Sequence, residues 1–129
     1  MFGLSKPVPA AQTNKLFGIT LHVERGSNDE MPEELASAYV PIFVSAVDHE
    51  AAAVKAVKSI TRRGFRFIDV ADRQIYELDP QKWDDYVYES WPEFVFDFPS
   101  QKSVIGALDQ EFLFTGPFAS CEEPEHALH

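Results

Sequence analysis

Along residues 16–24, LFGITLHVE, the apolar Ile19, Leu21 and Val23 alternate with Thr20, His22 and Glu24. That period of two is the pattern of a strand with one buried face. Residues 39–47, YVPIFVSAV, form a denser β-rich run with Pro41 near its start, where a missing N–H is easiest to tolerate. The polar RGSNDE at 25–30 separates the two runs. Pro32 then opens a short helical turn, or the connection of a long-loop hairpin.

Residues 48–64 carry consistent helix signals. Asp48 is an N-cap, Glu50 lies in the first turn, Lys58, Arg62 and Arg63 crowd the last turns, and Gly64 ends them. Ala53, Val57, Ile60 and Gly64, with Val54 and Ala56 alongside, give it an apolar face. Residues 65–71 and 74–78 flank the polar ADRQ and predict a hairpin. Asp79-Pro80 starts a second helix through Trp83, Tyr86 or Val87, and Ser90, which Pro92 limits. EFVFDF at 93–98 alternates acid with apolar and predicts an edge strand. Residues 100–118 predict a short helix and then a strand.

This order, β-α-β-β-α-β over residues 39–98, is the split βαβ or ferredoxin-like arrangement. The expected fold is therefore α+β: an antiparallel sheet with helices on one face, one extra N-terminal strand and a short C-terminal extension. Residues 16–118 would make a single domain, with 1–15 a flexible lead segment and 119–129 a disordered tail.

Charge changes the picture more than composition does. The chain of 129 residues has a net charge of −10. Residues 1–64 carry seven bases and seven acids, whereas residues 65–129 carry four bases and fourteen acids. Such a field attracts basic partners and repels phosphate backbones. The single cysteine, Cys121, rules out an intrachain disulfide and fits a reducing compartment. Residues 1–15 lack the apolar core of a secretion signal, and no run approaches the ~20 apolar residues of a membrane helix. A cytoplasmic, soluble protein with no membrane contact is the expectation.

Residues 63–70, RGFRFIDV, resemble the principal aromatic motif of RNA-recognition domains, which would imply base stacking on a sheet. Arg66 stands where that motif has a small residue, and Val70 where it has its last aromatic. The segment also follows the first helix directly. With the acidic second half, this predicts a strand burying Phe65 and Phe67, and no nucleic-acid partner. The chain has no phosphate-cradling glycine loop, no nucleophile elbow, no C-x-x-C and no H-E-x-x-H. No cofactor is expected. Cys121, His126 and His129 among acids are ligand types without a second fixed pair, so no metal site is expected either.

Two histidines are the candidates for base chemistry. His49 follows Asp48 where a strand meets a helix. His22 shares the polar face of the first strand with Glu24. The richer segment is 83–98, WDDYVYESWPEFVFDF, where acids interleave with aromatics. Trp83, Asp84, Asp85, Tyr86, Glu89, Trp91 and Glu93 there predict a surface for a basic protein. The leading expectation is a small non-enzymatic interaction module of adaptor, inhibitor or toxin-neutralising type. The alternatives are a regulatory small-ligand-binding homodimer, or a small dimeric enzyme using a histidine base.

Overall fold

The first alternating run becomes β1 (Lys15–Glu24) and the denser run becomes β2 (Ser37–Ala46), in a computed structural model that describes residues 14–29 and 36–120. The two pair antiparallel without interruption from Lys15↔Ala46 to Glu24↔Ser37. Alternation then sorts their side chains. Phe17, Ile19, Leu21 and Val23 share one face with Val44, Ile42, Val40 and Ala38, all buried.

Helix α1 (His49–Arg62) covers that face. Asp48 caps it by accepting a hydrogen bond from Ala51 N at 2.8 Å. Its buried stripe is Ala52, Ala56 and Ile60, which keeps Ala56 and Ile60 of the expected face, with Val57 packed beside it, while Ala52 takes the place of Ala53 and Val54 is 48% exposed. Two alanines at the contact let the helix axis approach the sheet closely, which larger side chains would prevent.

β3 (Arg66–Leu78) corrects the expected hairpin. Residues 65–71 and 74–78 are not two strands: both stretches pair with β1 as one long antiparallel edge strand. The polar ADRQ is a bulge within it. Ile19 faces Ile75 and Leu21 faces Val70, so Thr20 alone stands opposite residues 71–74. Asp72 and Arg73 take left-handed backbone angles there, with φ of 65° and 57°.

Past a 3-10 turn (Pro80–Lys82), α2 (Trp83–Ser90) forms as expected, but 93–98 is not an edge strand. Pro92–Asp97 winds as further 3-10 turns, because Phe98 and Val95 bury against the helical unit rather than a sheet edge. α3 (Gln101–Ala107) and β4 (Leu113–Thr115) fulfil the expected helix and strand, and β5 (Ala119–Ser120) adds a short pairing to β2.

The sheet order is β3-β1-β2-β4, with β5 also on β2. The fold is thus α+β with an open antiparallel sheet, but the ferredoxin-like order is not found. The strand read as an N-terminal addition sits at the centre, and helices lie on both faces. The second face carries its own core of Leu16, Phe43, Trp83, Val87, Phe98 and Val104 beneath α2 and α3. No helix among the described residues is long and apolar enough to cross a membrane. The turn expected after Pro32, residues 1–13 and residues 121–129 fall outside the described residues.

The turn after β1 packs on the end of α1. Gly26 (φ +57°) and Gly64 (φ +91°) meet there, and a Cβ on Gly26 would lie 2.3 Å from Gly64 O. Gly26→Ala combines a left-handed backbone with a clash against main chain. It should cost about 2 kcal/mol or more in urea unfolding, with the m-value unchanged.

Candidate functional site

Residues 83–98 divide by helical geometry into three directions. Trp83 and Val87 point into the second core, 1% and 3% exposed. The Trp83 indole stands edge-on to Phe43 at 5.2 Å and donates from Nε1 to Pro99 O at 2.8 Å. Trp83 therefore offers no contact surface. Tyr86 and Trp91, half-buried, line a cavity of ≈ 360 Å³ over the sheet. Phe98 is buried in the second core with Val95 half-buried against it, and the remaining side chains face solvent.

That solvent-facing set keeps the acids and changes the aromatics. Asp84, Asp85, Glu89 and Glu93 are exposed. Asp84 also docks α2 on α3, accepting from Gln101 N at 2.9 Å while its own N–H donates to Gln101 Oε1 at 3.1 Å. The exposed rings are Tyr88 (70%), Phe94 (37%) and Phe96 (101%), which the sequence reading did not single out. Tyr88 and Phe96 border a depression with Asp84, Val95, Pro99 and Ser100. Counting three and four residues from Trp83 identifies Tyr86 and Val87 as inward neighbours, and Tyr88 then falls outside. Phe96 had no such signal, because its 3-10 backbone breaks the alternation.

The two histidines lie on opposite faces of the sheet. His49 is exposed at the start of α1, its ring edge-on to Phe17 at 4.8 Å. No carboxylate is seen to orient it, since Asp48 is engaged as the cap. His22 sits on the second face, beyond the cover of α2 and α3. Its Nδ1 lies 3.5 Å from Asp69 Oδ1, and its ring leans on Tyr39 at 5.0 Å. His22 Nε2 is buried and has no hydrogen-bond partner among the described residues. The pair has the form of a carboxylate-oriented imidazole, a group able to hold or pass a proton.

His22, Tyr39 and Asp69 line a wider depression of ≈ 650 Å³ with Thr20 and the bulge residues 70–73. Thr20 also lines the ≈ 360 Å³ cavity, so the two hollows are neighbours across β1. Trp91 Nε1 is the second buried polar atom without a satisfied hydrogen bond. The Trp91 side chain is nonetheless close enough to the Tyr86 hydroxyl to act as a hydrogen-bonding neighbour that lowers its pKa. Burial is the larger effect and pushes the Tyr86 hydroxyl above its usual 10.0.

Among the described residues no group of three or more His, Cys, Asp or Glu side chains converges to hold a metal. Cys121, His126 and His129 lie outside them. Comparison with protein-family models, curated proteins and solved structures finds no match.

Two outcomes follow from this placement. Trp83→Ala should lose about 3–5 kcal/mol of stability, while Phe96→Ala stays within about 0.5 kcal/mol in the same urea titration. The raised Tyr86 pKa makes the unfolded chain lose that proton first. Stability should therefore fall as pH rises past 10 toward the folded value. Tyr86→Phe should remove that part of the fall, seen as a shallower pH dependence of the urea midpoint than in the unaltered protein.

Proposed function

We propose that this protein is a small acidic interaction module that binds a basic protein through the outer side of residues 83–98. One observation carries the reading: Phe96 is 101% exposed beside Tyr88 at 70%, on a helix-and-turn unit whose other outward side chains are mostly acids. An aromatic ring fully in water gains about 1.5–3 kcal/mol when a partner covers it. Asp84, Asp85, Glu89, Glu93 and Asp97 around it would speed encounter with a positive surface and discriminate against acidic ones. In this reading Phe96, Tyr88 and Phe94 are the anchors, with the acids as a steering rim. The activity is binding, and the adaptor, inhibitor and neutralising roles differ in what the partner loses on being bound.

Tagged protein, unaltered or carrying Phe96→Ala, is passed in parallel through lysate of the native organism at low and moderate salt. A basic protein retained in stoichiometric amount should be lost on Phe96→Ala, and lost on raising the salt. In purified form, Asp85→Lys with Glu89→Lys should slow association roughly tenfold or more. Retention of the same partner by Phe96→Ala, or indifference to salt, would sink the proposal.

A further inference from the structure

We infer that the two neighbouring hollows on the part of the second sheet face that α2 and α3 leave open form a binding site for a small molecule. Its ligand is a planar aromatic ring carrying a hydroxyl or amine head group. The site is separate from the outer surface of residues 83–98 and stands whether or not that surface binds a protein.

The ring end is the ≈ 360 Å³ cavity, a volume suited to a small ligand. Gly18 and Pro41 of β1 and β2 lie at its floor, with the Leu78 side chain against Gly18. Its walls are the rings of Phe43, Tyr76, Tyr86 and Trp91. Glu77 borders the cavity, yet it pairs in register with Phe17 on the opposite face, and its carboxylate lies 4.0 Å from Lys15 Nζ. No charged side chain is therefore aimed at the ring end. Aromatic rings on several sides favour an offset-stacked planar group over a branched aliphatic one.

The head-group end is the wider depression reached past Thr20, where His22, Tyr39, Asp69, Asp72 and Arg73 supply polar groups. Two acids against one arginine, on a chain of net −10, accept hydrogen bonds from hydroxyls or amines and disfavour an anion. Three further features converge here. Asp72 and Arg73 hold left-handed backbone at the bulge, strain of about 1–3 kcal/mol each that tends to persist where it serves a site. Among the described residues His22 Nε2 and Trp91 Nε1 are buried without a hydrogen bond of ordinary geometry, Trp91 resting against Tyr86. Buried polar atoms of that kind are few in folded proteins.

The chain has two tryptophans, so its NMR spectrum carries two indole N–H signals, with that of Trp83 committed to Pro99 O. Tryptamine, tryptophol and indole-3-propionate, titrated separately into the full chain, share one ring and differ in the head. Tryptamine and tryptophol should shift the Trp91 signal saturably and leave that of Trp83 in place. Indole-3-propionate should bind at least roughly tenfold more weakly, as like charge at Asp69 and Asp72 requires. Tyr76→Ala, at a half-exposed edge position that the fold tolerates, should weaken both favoured probes roughly three- to tenfold. Asp69→Asn should weaken tryptamine more than tryptophol. No saturable shift at millimolar probe, equal binding of the propionate, or unchanged affinity in Tyr76→Ala would each overturn the inference.

Discussion

Ten uninterrupted residue pairs between β1 and β2 set the terms for the rest of the molecule. Because side chains alternate, that register decides at once which residues meet α1 and which meet α2 and α3. A slip of β1 by one residue would bury Thr20 and His22 against α1 and turn Ile19 and Leu21 outward, opposite an unchanged β2. The aliphatic face leaves no doubt which register wins, since four residues of β1 and five of β2 bury there together. The second face then inherits Leu16, Gly18, Thr20 and His22 opposite Tyr39, Pro41, Phe43 and Ser45.

That inherited face is apolar at one end and polar at the other, and its covering follows the difference. Leu16, Phe43 and Leu78 draw Trp83, Val87 and Phe98 onto them. Phe43 is the hub, within ring-contact distance of Trp83, Tyr86, Phe98 and Phe114. Ser45 ties the far end of this layer down, donating its backbone N–H to Phe112 O at 2.9 Å and accepting from Phe112 N at its hydroxyl, also at 2.9 Å. Toward Thr20 and His22 there is no apolar surface to reward a cover, so the helices stop. The hollows are the edge of that layer.

The long edge strand β3 completes the arrangement. A flat thirteen-residue edge would invite pairing with other chains. The bulge at residues 71–74, a second irregularity at Ile68, and the charges of Arg66, Asp69, Asp72, Arg73 and Glu77 all work against that. The same bulge places polar side chains beside His22, so protection of the edge and construction of the head-group end share one cause.

Much was legible in the sequence where signals were local. The alternation of β1, the cap and stop of α1, the Asp79-Pro80 start before α2 and the α3–β4 order are set by short-range sterics and hydrogen bonding, and they form as read. The acidity of residues 65–129 is likewise a property of the chain alone. What tertiary structure decided is how those pieces share partners. ADRQ carries the marks of a hairpin turn, and a turn and a bulge differ only in whether the flanking stretches pair with each other or with a third strand. β1 was that third strand, a non-local choice made by burial of Ile75, Val70 and Phe67 against the aliphatic core. The same holds for residues 83–98: the sequence fixes that they are aromatic and acidic, whereas only packing against Phe43 decides that Trp83 is core, Tyr86 and Trp91 line a cavity, and Phe96 stands in water.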